Sequence, residues 1–249
     1  MSAPDPWSDL RRHTAARIAL GRAGASLPTA EWLRFALAHA QARDAVHLPF
    51  DDEALAGALA GHGFQALRLE SAAADRATYL RRPDLGRRLS GRSAALLQAL
   101  PQAAAGLVVV VGDGLSARAV HEHALPLLLE LRPRLEADAV ALGAVALVRQ
   151  CRVALGDEVG ALLGARAVLV LLGERPGLSS PDSLGAYLTW APRPGRSDAE
   201  RNCVSNIRPA GQPPAEAARR LAWLLAGARR LGASGVVLKD ESDRPQLAG

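Results

Sequence analysis

Aromatic side chains make up only 4% of these 249 residues, so flat surfaces on which nucleic-acid bases could stack are few. Lysine is nearly absent: Lys239 is the single one, and the other basic residues behind the net charge of +5 are arginines. They are spread through an Ala/Leu/Gly-rich composition and read as solvated helix faces. The pI of about 10.1 is therefore not taken to indicate a nucleic-acid partner. The two cysteines, Cys151 and Cys203, stand far apart and form no C-x-x-C pair, which fits a reduced, cytosolic setting better than a disulfide scaffold. Hydrophobic residues reach 49%, yet no run of about 18 apolar residues occurs, so no membrane span is expected. No signal-peptide pattern opens the chain either. H-E-x-x-H and G-x-S-x-G are also missing, and the spacing supports neither a self-contained hydrolase nor a zinc enzyme. His121 and His123 sit two apart on an expected helix and point in different directions. The other histidines, His13, His39, His47 and His62, are scattered, so no metal ligands are assigned.

What the chain does have is organised around Ala165–Ser183. Val168–Leu172 is a continuous apolar run, short enough for a strand buried on both faces. It stops at Gly173-Glu174-Arg175-Pro176-Gly177, a turn with one acid and one base, and Ser179, Ser180 and Asp182 then offer capping side chains. A buried strand ending in such a turn is how an open α/β sheet presents a site at its carboxyl edge.

The first 95 or so residues read as mainly helical. Trp7–Ala25 is expected as a helix with Ser8 as a possible N-cap. Thr29 is expected to cap a second helix carrying Trp32, Phe35, Leu37 and His39, and Asp52–Gly61 forms a third. Leu67–Ser71 is a possible short strand, followed by a loop over Tyr79–Arg88. From about Ala103 strands and helices alternate: strand Leu107–Val111, turn Gly112–Ser116, helix Ser116–Leu135 interrupted at Pro126 and closing near Pro133. Strand Val140–Cys151 and helix core Glu158–Leu163 with Gly164 as C-cap come next. Strands Val168–Leu172 and Leu184–Trp190, an edge segment Cys203–Ile207, helix Ala215–Leu231 and a final short strand Gly235–Leu238 complete the pattern. Asp240–Gly249 reads as a frayed polar tail. The alternation implies a Rossmann-like α/β fold, a mostly parallel sheet with helices on both faces. Residues 1–98 form the helical segment and 99–249 the α/β domain.

In that topology four loops meet at the carboxyl edge: Gly112–Ser116, Arg149–Val153, Gly173–Gly177 and Arg201–Asn206. GDGLSA at Gly112–Ala117 formally matches G-x-G-x-x-A between a strand and a helix, a pattern that can cradle a phosphate. The acid that would hold a ribose is missing from the end of the second strand, which closes in Arg149, Gln150 and Cys151. A stand-alone NADP-binding oxidoreductase remains an alternative, since an arginine could serve a 2′-phosphate. In the plainer reading both glycines simply make the turn. Glu174 and Arg175 could be a solvated pair or a ligand contact, and Cys203 a small buried hydrophobe. The result is a binding edge with no evident catalytic set.

The residues SDLRRHTAARIALGRAG and SLPT within Ser8–Thr29, YLRRPDLGRRL at Tyr79–Leu89, VVVVGDGLSARAV at Val108–Val120, LLGERPGLSSPDSLGAY at Leu171–Tyr187 and RNCVSNIRPAGQPPAEAA at Arg201–Ala218 resemble the small (light) subunit of ethanolamine ammonia-lyase. The likeness runs in order from about residue 8 to about 239. It implies a carbon–nitrogen lyase that uses adenosylcobalamin to convert ethanolamine to acetaldehyde and ammonia by a radical route. It also implies a large-subunit partner that carries the catalytic side chains, a hetero-oligomer of several large/small pairs, and no activity of this chain alone. Cobalamin contacts carried over from the family fall on Val153, Glu174 and Cys203. No D-x-H-x-x-G sequence is present, so no protein histidine is expected to replace the cofactor's own base. Only MSAPDP precedes Trp7, whereas family members bound for a bacterial microcompartment can carry a longer extension; a free cytoplasmic complex is at least as consistent with that. A pure interaction scaffold with no ligand is the third reading.

Overall fold

The computed structural model describes residues 5, 7–14, 16–100 and 106–243. Ala103 and residues 244–249 of the expected polar tail lie outside them. At the centre is a six-stranded sheet of β1 (Ala66–Glu70), β2 (Leu107–Gly112), β3 (Leu142–Arg149), β4 (Ala167–Gly173), β5 (Leu184–Trp190) and β6 (Arg201–Ile207). The spatial order is β1-β3-β2-β4-β5-β6. The first four strands in that order run parallel to their neighbours, while β5 is antiparallel to β4 and β6 to β5. Every residue of β2 and β4 is buried, as their unbroken Val/Leu runs require of strands covered on both faces.

Seven α-helices are described: α1 (Thr29–His47), α2 (Asp52–Gly61), α3 (Arg76–Arg81), α4 (Gly91–Ala99), α5 (Ala117–Ala137), α6 (Leu155–Leu162) and α7 (Pro214–Leu231). Leu59 of α2, Leu127 of α5 and Leu221 of α7 pack with Val109, Val111 and Leu169 on one face of the sheet. Leu97 of α4 and Val159 of α6 pack with Val108, Val110 and Val168 on the other. On that second face the β5–β6 pair is less covered, and its Tyr187 is half-buried and its Cys203 exposed.

Several sequence expectations are corrected. Trp7–Ala25 is not an α-helix: only Ser8–Arg12 forms a 3-10 turn, with Trp7 in the cap position, no capping hydrogen bond and no buried residue. Positive φ at Ala19 and Gly21 is incompatible with continuing the helix. Thr29 is the first helical residue of α1 rather than its cap, a place Pro28 takes. The helix itself is present, but Trp32, Phe35 and Leu37 are exposed, and it buries only Ala38 and Ala45. The expected loop over Tyr79–Arg88 contains the end of α3 and a 3-10 turn, Leu85–Arg87. Helix α5 runs unbroken through Pro126 and Pro133. Each proline costs a hydrogen bond and about 3 kcal/mol, but Val120, Leu127, Leu128, Leu131 and Leu135 are buried on the sheet side at about 1.5–3 kcal/mol apiece. β3 is shorter than Val140–Cys151 at both ends, since Ala139 and Gln150 turn to positive φ. Gly235–Val237 is a 3-10 turn, not a strand. Arg201–Asn206 is edge strand rather than loop, because pairing with β5 satisfies its backbone.

Candidate functional site

Three chain segments leave the carboxyl ends of neighbouring parallel strands and pack together through glycine. At Gly114 (φ +52°) an added Cβ would stand 2.3 Å from the Gly173 carbonyl oxygen, and at Gly173 it would stand 2.0 Å from that of Ser116. A Cβ on Gly112 would meet that of Cys151 at 2.3 Å. The Leu115 N–H donates to the Gly173 carbonyl at 2.8 Å. The glycines of the G-D-G turn thus serve close backbone packing. Ser116 caps α5 by accepting from the Ala119 N–H at 3.3 Å and donates to the Pro181 carbonyl at 2.9 Å. The start of α5 is closed by protein, which disfavours the dinucleotide alternative.

Asp113 ties these segments from inside. Its carboxylate accepts from the Cys151 N–H at 3.1 Å and from Arg76 at 3.3 Å, and burial pushes its pKa up to about 6 against the attraction of Arg76. Arg76 also donates to the Gly114 carbonyl at 2.8 Å and to Gln150 at 3.3 Å. Tyr79, fully buried, donates to the Cys151 carbonyl at 2.9 Å, with Arg76 and Arg152 over its ring at 5.0 and 4.4 Å. Burial raises its phenol pKa.

Above this base opens a cavity of about 410 Å³, whose lining includes Tyr79, Arg152, Val153, Glu174, Arg175 and Tyr187. It sits between the ends of β2 and β4. The connections after β2 and β3 pack on opposite faces there, the place where open α/β sheets receive ligands. Glu174, half-buried, donates its N–H to the Ser183 carbonyl at 2.9 Å. Its Oε2 accepts from the Ser183 hydroxyl and from the Asn206 N–H at 3.2 Å. Oε1 lies over Gly185, where a Cβ would be 2.9 Å away, and accepts no hydrogen bond among the described residues. The missing side chain at Gly185 makes room for the carboxylate.

Cys203 is in mid-strand opposite Tyr187, so it lies beside the cavity rather than in one of its loops. Although the residue as a whole is exposed, burial of its sulfur, then the charge of Glu174, push the thiol up to about 11; burial likewise raises the Tyr187 phenol. Val153 and Glu174 thus line one cavity, and Cys203 adjoins it through Tyr187. Arg175 is exposed at the rim. His121 points away, accepting from the Asp51 N–H at 3.1 Å and stacking on Phe50; burial lowers its pKa. Both cysteines are free. The residues that sequence reading passed over are Tyr79, Asp113, Arg152 and Tyr187. One signal was available: the chain has two tyrosines, and both line this cavity.

No described helix is long and apolar enough to cross a membrane. A family model described as ethanolamine ammonia-lyase light chain matches residues 4–239. Among relatives, a protein of Azotobacter vinelandii named ethanolamine ammonia-lyase small subunit is 57% identical over 248 residues, 98% of this chain and 92% of its own. One of the same name from Xanthomonas campestris pv. campestris is 58% identical over 246 residues, covering 98% and 90%. Another from Bradyrhizobium diazoefficiens is 57% identical over 238 residues, covering 95% and 91%.

Proposed function

The chain belongs to the ethanolamine ammonia-lyase light-chain family, and on that premise we propose that it is the small subunit of an adenosylcobalamin-dependent lyase converting ethanolamine to acetaldehyde and ammonia. It holds the cofactor against a large subunit that carries the substrate pocket. The observation that carries this reading is the open rim itself, where Val153, Glu174 and the Tyr187–Cys203 pair lie side by side. A cavity of this size encloses a drug-sized molecule at most, so a corrinoid would rest only partly in it and needs a second wall from a partner.

The residues present fit that group. Glu174 Oε1 is an acceptor without a donor among the described residues and matches the amide N–H groups at a corrin's edge. Val153, Tyr187 and Cys203 offer apolar or weakly polar contact to its flat surface. When bound, the cofactor supplies the radical chemistry of amino-group migration and ammonia loss. The chain's own contribution is to orient the macrocycle, with Glu174 fixed by Ser183 and Asn206, and to exclude water from one side.

The test is to assemble the chain with its large subunit and titrate adenosylcobalamin against the parent and Glu174→Gln. Glutamine keeps an acceptor oxygen but loses the charge that roughly doubles such a bond, so a loss of about 1–1.4 kcal/mol, or roughly a 5- to 10-fold weaker Kd, is expected. An unchanged Kd in an intact assembly would refute the role of Glu174. Turnover of ethanolamine by this chain alone would refute the dependence on a partner.

A further inference from the structure

Glu122, His123 and Asp182 each offer one ligand atom, and the three atoms lie within 4.8 Å of one another. His123 faces inward from α5, with 7% of its side chain exposed, and its Nε2 has no hydrogen-bond partner among the described residues. That nitrogen points between two carboxylates, 3.5 Å from Asp182 Oδ2 and 3.8 Å from Glu122 Oε2. Leaving a buried imidazole nitrogen unsatisfied costs about 1–3 kcal/mol, so the arrangement calls for something at the point where the three atoms converge. The carboxylates are also oriented from behind. Arg118 donates to Glu122 Oε1 at 2.7 Å and Arg208 to Asp182 Oδ1 at 3.4 Å, so in each acid the other oxygen is turned toward His123. Outer partners that fix a ligand's orientation in this way are the usual support of a metal site.

We propose that Glu122, His123 and Asp182 form a binding site for a divalent transition-metal ion, with one imidazole nitrogen and two carboxylate oxygens as ligands. This donor set suits zinc and its neighbours better than calcium or magnesium, which take oxygen ligands almost exclusively. Two ligands come from α5 and the third from the segment that returns from Glu174 to β5, so the ion clamps one to the other. Asp182 directly precedes Ser183, the residue that donates to Glu174. The clamp therefore steadies the loop bearing the rim's carboxylate without touching the rim. Sequence spacing hid the site because its partner lies nearly sixty residues beyond His123; His121, the neighbour in sequence, takes no part.

The probe is zinc chloride alone, titrated into the chelator-dialysed full chain in competition with a chromophoric chelator. Bound metal is counted after desalting, and cobalt(II) substitution reads the ligand field. The expected result is one zinc per chain. Asp182→Asn and His123→Gln should each weaken it by more than the about 10- to 100-fold that removal of an outer supporting residue costs. Zinc should also raise the Tm of the parent and not that of Asp182→Asn. His123→Gln perturbs the interior, but Asp182→Asn sits on a loop and keeps the test decisive if the former misfolds. No zinc uptake by the parent would overturn the proposal. Uptake that survives Asp182→Asn would place the ion elsewhere, Cys203 included, and overturn it equally. Neither failure bears on cofactor binding at the rim.

Discussion

Replacing Asp157 with alanine tests whether the two halves of the candidate site are held in register by one buried ion pair. Asp157 lies on α6 and Arg201 begins β6, with side chains 1% and 2% exposed. The pair is bidentate, both N···O distances being 2.7 Å. Thr189 at 2.9 Å, the Arg196 carbonyl at 2.9 Å and Asp198 at 3.4 Å take the remaining guanidinium N–H groups. Asp157→Ala leaves a buried cation with two of its three hydrogen bonds to carboxylate gone, a loss of about 3–5 kcal/mol. In a chain of this size each kcal/mol lowers Tm by about 2–4 °C, so the expected fall is about 6–20 °C, read by calorimetry and by urea unfolding. The double change Asp157→Leu/Arg201→Met removes both charges and should recover most of that loss, because apolar residues of similar volume replace buried ion pairs at little cost. Val153 stands two residues before α6 and Cys203 two after Arg201, so on the function proposed above adenosylcobalamin retention with the large subunit should fall in the single variant even below its Tm. A loss under about 1 kcal/mol for Asp157→Ala, or a double variant weaker than the single one, would refute the reasoning.

Three other outcomes are expected. Asp113 has a folded pKa raised by burial to about 6 from an ordinary 3.8. It therefore stabilises the fold when protonated, and that contribution, about 3 kcal/mol at 1.36 kcal/mol per unit, is lost as pH rises from about 4 to about 6. Asp113→Asn should flatten this part of the stability–pH curve, and an unaltered slope would assign it to other groups. Cys203, raised to about 11, should alkylate slowly at pH 7, and Glu174→Gln should speed it in the cofactor-free protein. Buried Cys151 gives no signal, and an indifferent rate would mean the carboxylate and thiol are not neighbours. Gly173→Ala places a Cβ 2.0 Å from the Ser116 carbonyl and 2.7 Å from that of Asp113, both backbone atoms, so a loss above about 4 kcal/mol is expected. A Tm like the parent's would deny the contact.

The strands and most helices of the second half were legible because their signals are local: unbroken Val/Leu runs in β2 and β4, turn residues between them, and the periodic apolar face of α7. The segment Trp7–Ala25 was not, because its 3-10 turn buries no residue and positive φ at Ala19 and Gly21 overrides the helical pattern, and nor was the continuity of α5, where burial outweighs two prolines. Glu174 and Val153 could be placed at one sheet edge from topology. Cys203 was assigned to a loop because nothing local distinguishes an exposed edge strand, Arg201–Ile207, from a turn. Asp113 and Tyr79 were invisible as site residues, since their importance comes from Arg76, Cys151 and Arg152, brought in from other segments.

The connection from Glu174 to Ser183 doubles back on itself. Its neck is closed by the Glu174–Ser183 backbone bond, and its tip is folded by reciprocal bonds between Gly177 and Ser180 at 3.1 and 3.2 Å. A crossover helix between parallel strands must span a fixed distance, whereas a closed neck leaves its tip free of that demand. Residues can therefore be gained or lost around Leu178 with the sheet register untouched, and the height of the wall beyond Glu174 can change in evolution independently of the carboxylate at its foot.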